Sequence, residues 1–253
     1  MKEKPLTLTK KHRGWESLRC LTFARYAKTR AVISLKPIYR PSIFLAIPTL
    51  GVVSTAISVR LLQWVTSGKY RIKYFPLENV RPIDKARNVC HREFLKEDYD
   101  YLFFLDGRVV PQVDVLDKLI AANKDIVSST VQTLQAFEGA PRLVPVAMRK
   151  AEGGFKPHFG EGLERVDATT MACTLIKRKV MEAVGKRAFQ HTMIDEWGTT
   201  GYSEDFYFCE RARGAGFEIW NDYTQLASHF KDTDMKTVND LMVIAYKEGK
   251  DNG

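Results

Sequence analysis

Three short segments carry side chains whose types and spacing can do chemistry. Tyr101-Leu102-Phe103-Phe104-Leu105 is an apolar run that ends in Asp106-Gly107-Arg108. In open α/β sheets ligands bind beyond the carboxyl ends of strands, and an acid there can hold a divalent cation or a ribose hydroxyl. It can equally cap a turn or a helix. Ser203-Glu204-Asp205 opens a helical pattern that continues through Arg211-Ala212-Arg213. The helix dipole keeps carboxylates in a first turn ionised, and an ionised carboxylate in a cleft can take a proton from a hydroxyl. The alternative is Ser203 as N-cap, with the two acids serving only the dipole. His229 follows Leu226-Ala227-Ser228. Its imidazole gains a chemical role only if the fold brings it to Asp106, where it would be a metal ligand.

These side chains need a frame. Ser42 to Ile47 is an apolar run without alternation, as a parallel strand covered on both faces requires. Pro48-Thr49-Leu50-Gly51 turns the chain into a helix over 52–66, and Tyr70 to Pro76 is a second strand. Pro82-Ile83-Asp84 starts a helix that reaches about Lys96. Tyr99 to Leu105 is a third strand, Pro111 to Asn123 a helix and Asp125 to Thr130 a fourth strand. This alternation predicts right-handed βαβ units and a mostly parallel sheet. The second half is less regular. It has a strand at 144–149, a glycine-rich hairpin region (Gly153, Gly154, Gly160, Gly162), a strand over Ala172–Lys177 and a helix over Arg178–Val184. A loop at 189–202 precedes a helix over Glu204–Ala215 with Gly216 as its C-cap, then a short strand from Phe217 to Trp220.

The chain has 253 residues and a formal net charge of +9, with 45% hydrophobic and 27% charged residues. That composition suits a folded core and excludes a largely disordered chain. Residues 1–40 carry eleven Lys or Arg against two acids, so the basicity belongs to an N-terminal arm of residues 1–41. Such an arm favours an anionic lipid surface, nucleic acid or another polyanion, or is simply a solvated tail. Within it, residues 14–30 suit a basic amphipathic helix with Trp15, Leu18, Leu21 and Phe23. Cys20, Cys90, Cys173 and Cys209 form no CxxC pair, neither a disulfide framework nor a zinc pattern. They read as reduced thiols in a reducing compartment. The N-terminus lacks a signal-peptide apolar region, and Pro48 and Gly51 interrupt the longest apolar stretch. The expectation is a cytoplasmic protein, peripheral to membrane or nucleic acid through its arm.

Taken in order, several motifs resemble the family-2-like GT-A glycosyltransferases over roughly residues 42–230. They are Asp84-Lys85-Ala86-Arg87-Asn88, Tyr99 to Pro111, Ala172 to Arg178, Glu204-Asp205, Arg211-Ala212-Arg213, Ala215-Gly216-Phe217 and His229. The resemblance implies a GT-A-type, Rossmann-like α/β domain over 42–232, with a nucleotide-binding half (42–130), an acceptor half (131–232) and a C-terminal helix or tail (233–253). It implies a nucleoside diphosphate sugar donor, with UDP among the nucleotides to test. The acceptor hydroxyl would belong to a glycan, lipid, protein or modified nucleic acid. Ile47, Pro48 and Thr49 would line the nucleotide site, and Arg87 and Asn88 would face the nucleotide or its diphosphate. Asp106-Gly107-Arg108 stands where such enzymes carry an Asp-x-Asp motif that holds Mn²⁺ or Mg²⁺, with His229 completing the metal site. Asp205, beside Glu204, would be the catalytic base of an inverting enzyme. Trp197 would stack on a sugar ring or anchor its loop, and Gly198 and Gly201 would let that loop close as a lid.

Arg108 departs from the motif. Replacing carboxylate by guanidinium changes the local charge by about two units and repels a divalent ion. Three outcomes stay open: Arg108 neutralises the diphosphate without a metal, a metal survives on Asp106, His229 and diphosphate oxygens, or the chain keeps the nucleotide site and has lost catalysis. A polyanion-binding protein acting through its arm is the reading from another class, marked by steep salt dependence that disappears with residues 1–40. A nicotinamide-dependent dehydrogenase is disfavoured, because Pro48-Thr49-Leu50-Gly51 stands where a GxGxxG turn belongs.

Overall fold

The computed structural model describes residues 39–137, 140–152, 154–193, 195, 196, 201–231, 236 and 243. The basic arm up to Ile38, Cys20, Gly153, Trp197, Gly198 and nearly all of residues 232–253 lie outside them. The first half builds β1 (Ser42–Thr49), α1 (Thr55–Thr66), β2 (Arg71–Glu78), α2 (Ile83–Leu95), β3 (Tyr101–Leu105), β4 (Val109–Val110), α3 (Val115–Ala121) and β5 (Ile126–Phe137). The second half adds β6 (Ala140–Pro145), β7 (Ala147–Ala151), β8 (Gly154–Pro157), β9 (Leu163–Val166), β10 (Ala168–Thr169), β11 (Cys173–Lys177), α4 (Arg178–Val184), α5 (Glu204–Gly214) and β12 (Ile219–His229).

The main sheet runs in the order β2-β1-β3-β11-β5-β12-β4, with β6 on β5 and β9 on β12, and β10-β7-β8 form a small second sheet. β1 is parallel to β2 and β3, and β12 is parallel to β5. β11 runs antiparallel to both β3 and β5. The expected α/β sheet flanked by helices is therefore present, with β1, β2, β3, β5 and β12 parallel, β11 reversed at its centre, and β4, β6 and β9 antiparallel to their neighbours.

The uniform apolar runs follow from double coverage. Ile43, Leu45, Ile47, Phe103 and Leu105 point to one face, where Ile57 and Trp64 of α1 and Val115, Leu116 and Leu119 of α3 bury them. Phe44, Ala46, Leu102 and Phe104 alternate to the other face, against Cys90 and Phe94 of α2, Val180 and Met181 of α4, and Phe208, Cys209 and Ala212 of α5. Burying one such Phe or Leu contributes about 1.5–3 kcal/mol. α5 ends in a Schellman arrangement. Gly216 takes a positive φ of 88°, and Phe217 N–H reaches the Ala212 carbonyl at 3.0 Å.

Several expectations need correction. The fourth strand, expected to end at Thr130, runs on as β5 to Phe137. The strand expected at 144–149 is two strands, β6 and β7, in different sheets. The short strand ending at Trp220 continues to His229. α1 starts at Thr55, where the side chain of Ser54 caps the amide of Ile57. No described helix is long and apolar enough to cross a membrane. Cys90, Cys173 and Cys209 are buried free thiols.

Candidate functional site

The chain leaves β1 for the outer strand β2, then returns to β3 on the other side of β1. Strand order reverses there, and such a reversal opens a crevice at the carboxyl ends of the strands. A cleft of about 910 Å³ occupies that place. Pro48, Thr49, Leu50 and Val52 line it from the turn after β1, and Val80, Arg81, Pro82 and Ile83 from the loop after β2. Asp106, Gly107 and Arg108 line it from the end of β3, and His229 from the end of β12. The turns are tied together. Thr49 Oγ1 donates to the Val52 carbonyl at 2.7 Å, and the Ser54 amide donates to the Gly107 carbonyl at 3.3 Å. A Cβ on Gly107 would stand 3.0 Å from the Val52 carbonyl oxygen and 3.2 Å from Thr49 Oγ1. Gly107→Ala should therefore cost about 1–3 kcal/mol by overpacking and weaken ligand binding in the cleft. A denaturant titration matching the parent would show that these turns part freely.

Beneath the cleft lies one buried guanidinium. α2 buries Ala86, Arg87, Cys90, His91 and Phe94 on one helical stripe, and the stripe carries Arg87 inward with 3% of its side chain exposed. Its Nη2 is 3.6 Å from Asp106 Oδ1, and its Nε is 3.1 Å from Glu204 Oε1 and 3.0 Å from Asp205 Oδ1. The acids open α5, whose buried stripe is Glu204, Asp205, Phe208, Cys209 and Ala212. Ser203 occupies the N-cap position without a side-chain cap bond, so these acids serve Arg87 and not merely the helix dipole.

Asp205 Oδ2 accepts the Thr170 hydroxyl and the Met171 amide, each at 3.0 Å. Asp205 Oδ1 accepts no hydrogen bond within the described protein, and Arg87 Nη1 makes none. Burial pushes the Asp205 pKa up to about 6, opposed by Arg87 and reinforced by the neighbouring Glu204. Asp106 is raised as well, by burial at the cleft floor and by Asp205, against the pull of Arg87. Its side chain keeps 36% exposure, directed to the cleft it lines. Burial alone would lower the Arg87 pKa, but Asp205, Asp106 and Glu204 together raise it and keep the guanidinium charged.

The metal expected from the motif can be tested on its donors. β12 pairs with β4 so that His229 lies opposite Val109, three residues beyond Asp106. His229 Nδ1 lies 2.9 Å from the Gln132 carbonyl oxygen. A carbonyl only accepts, so Nδ1 carries the proton and Nε2 keeps its lone pair. The cleft thus offers one imidazole nitrogen and one carboxylate that is already paired with Arg87, with Arg108 in the second acidic position. Among the described residues no three His, Cys, Asp or Glu come together as metal ligands. Asp106 and His229 therefore form no closed cation site by themselves, and a cation here would draw its remaining ligands from substrate phosphates.

No protein-family model matches the sequence, and no curated protein does. The chain is similar in fold to A197 from STIV. The match has a TM-score of 0.52 and 21% identity, over 76% of this chain and 86% of that one. Weaker likenesses include GalNAc-T7 crystallised with UDP, GalNAc and Mn²⁺, with a TM-score of 0.49 and 11% identity over 79% of this chain and 45% of that one. Another is residues 1–349 of S. aureus TarS in complex with UDP-GlcNAc, with a TM-score of 0.42 and 14% identity over 77% of this chain and 60% of that one. At these identities the likeness extends to the fold alone, a mixed α/β sheet flanked by helices.

The structure brings Pro48, Thr49, Asp106, Gly107, Arg108 and His229 to one cleft, with Arg87, Glu204 and Asp205 in the cluster beneath it. Three expectations are corrected. Ile47 is fully buried in the core and puts no side chain into the cleft. Asn88 clamps the chain before α5, its Nδ2 donating to the Asp84 and Phe189 carbonyls and its Oδ1 accepting the Phe189 amide. Arg87 spends its charge on three carboxylates under the cleft and does not line it. Trp197 and Gly198 lie outside the described residues. Thr170, Met171 and Arg81 belong to no motif and were missed. Only the buried stripe of α2, with an arginine between Ala86 and Cys90, signalled the cluster.

Proposed function

We propose that this chain transfers a sugar from a nucleoside diphosphate sugar to an acceptor hydroxyl. The observation that carries the reading is Arg87 joining Asp106, at the floor of a strand-end cleft, to the Glu204-Asp205 pair at the start of α5. The donor lies across the strand ends with its diphosphate at Asp106-Gly107-Arg108, and the acceptor enters from the side of the second half of the chain. Asp205 is the base. Its buried Oδ1 is ion-paired with Arg87 Nε at 3.0 Å and accepts no hydrogen bond, and a pKa of about 6 leaves it ionised at neutral pH yet more basic than an ordinary carboxylate. The acceptor oxygen gives its proton to Asp205 as its electron pair forms the bond to the anomeric carbon. The bond from that carbon to the diphosphate oxygen breaks, and its electron pair leaves on the diphosphate. Attack opposite the leaving group inverts the configuration. Arg108 stabilises the leaving charge, the largest electrostatic demand of the step. The basic arm of residues 1–40 would hold the enzyme at an anionic surface.

A second reading keeps the nucleotide site without transfer. It is favoured by the confinement of Asp205, whose side chain is 11% exposed and held by Arg87, Thr170 and Met171.

Thermal unfolding with UDP, GDP, CDP, ADP and dTDP, each in EDTA and in Mn²⁺, tests the common ground. One nucleotide should stabilise the fold equally in both, by about 2.7 kcal/mol at a hundredfold excess over its Kd. Turnover of the matching nucleotide sugar then separates transfer from binding alone. Failure of all five nucleotides to stabilise the protein would overturn both readings.

A further inference from the structure

We propose that Arg81 and Arg108 form a two-armed guanidinium clamp that holds the donor diphosphate where a divalent cation would otherwise stand. The clamp rests on the reading of the cleft as a nucleotide-sugar site. Arg81 lies on the loop after β2 and Arg108 on the turn after β3, and both line the cleft. β2 and β3 flank β1 on its two sides, so the two loops rise from strands about 10 Å apart. A diphosphate resting over the end of β1 sits between them, within reach of a long side chain from either side. The chain is already fixed on both sides of that position. The Asn79 amide donates to the Thr49 carbonyl at 2.8 Å, and the Gly107 carbonyl receives the Ser54 amide.

The charge of the cleft points the same way. Its lining carries two guanidiniums against a single carboxylate, Asp106. Asp106 in turn shares its charge with Arg87 beneath it. A cleft of this balance attracts a dianionic diphosphate and repels a divalent cation. Guanidinium donors bind phosphate oxygens in a bidentate fork, so two of them can bracket both phosphates. Leu50 and Val52, exposed on the same rim, give the nucleoside an apolar surface beside the charged one.

Calorimetric titration of the full chain in EDTA tests the clamp. The probes are inorganic pyrophosphate, the five nucleoside diphosphates and the corresponding free nucleosides. Pyrophosphate and one nucleoside diphosphate should bind without metal, and more weakly as salt rises. Arg81→Ala and Arg108→Ala should each weaken that nucleoside diphosphate about tenfold or more. Affinity for the free nucleoside should stay unchanged, which a general structural defect would not allow. Arg81→Lys should recover part of the loss, as a point charge without the fork. Unchanged diphosphate affinity in Arg81→Ala, or binding only in the presence of Mn²⁺, would overturn the clamp and leave the nucleotide-sugar reading standing. If neither pyrophosphate nor any nucleotide binds in EDTA or in Mn²⁺, the clamp and that reading fall together.

Discussion

Asp205→Asn should lower sugar transfer by a factor of roughly 10²–10⁴, the usual contribution of a positioned general base, while nucleotide affinity stays within a few-fold. The amide keeps the shape of the side chain and can still accept the Met171 amide, so the fold should survive. It cannot take the acceptor proton. The parent enzyme should also lose activity as pH falls through about 6, because burial raises the Asp205 pKa to that value and only the ionised form is a base. The rate should rise with pH across that range in the parent and be flat in Asp205→Asn. Glu204→Gln should behave differently. Glu204 Oε1 accepts Arg87 Nε–H, so its loss disturbs the cluster without removing the base. Parent-like turnover in Asp205→Asn would sink Asp205 as the base and move the assignment to another group.

Arg87→Met should cost about 3–5 kcal/mol of folding stability, the usual result of removing one partner from a buried ion pair. Methionine fills much of the same space, so the loss is electrostatic more than steric. Glu204 and Asp205 stay buried without the guanidinium, with the His191 imidazole 3.5 Å from Glu204 Oε2, and Asp106 loses the guanidinium at 3.6 Å. Part of the cost should return when one of the carboxylates is also neutralised. Arg87→Met combined with Asp205→Asn should therefore be less destabilised than the sum of the single changes, as residues sharing one network are. Urea unfolding of the four proteins gives this coupling directly. Additive effects would show that water, not Arg87, carries the acids.

The helices that hold this cluster were partly legible. Ala86, Cys90 and Phe94 recur at helical spacing, and Arg87 falls beside them on the inward face. In α5 the buried stripe of Phe208, Cys209 and Ala212 is extended by Glu204 and Asp205. Acids at a helix start have an adequate local explanation in the dipole, and only a cation brought from elsewhere distinguishes the two roles. Ile47 and Asn88 were misread for a related reason. Both adjoin motif residues in sequence, but alternation turns Ile47 into the core and Asn88 bonds to Phe189, 101 residues away.

The sequence alone determined what depends on short-range periodicity. The buried runs of β1 and β3, the helices between them and an acid at the end of β3 follow from apolar spacing and turn residues a few positions apart. Tertiary structure alone decided the direction of β11, since Cys173 to Ile176 reads the same whichever way the strand runs. It also decided the pairing of β12 with β4 that carries His229 into the cleft, and the place of Arg81 beside it. The meeting of Arg87 with Glu204 spans 117 residues. Such contacts depend on how complete elements pack, and a charge becomes part of a site only when packing removes water from around it.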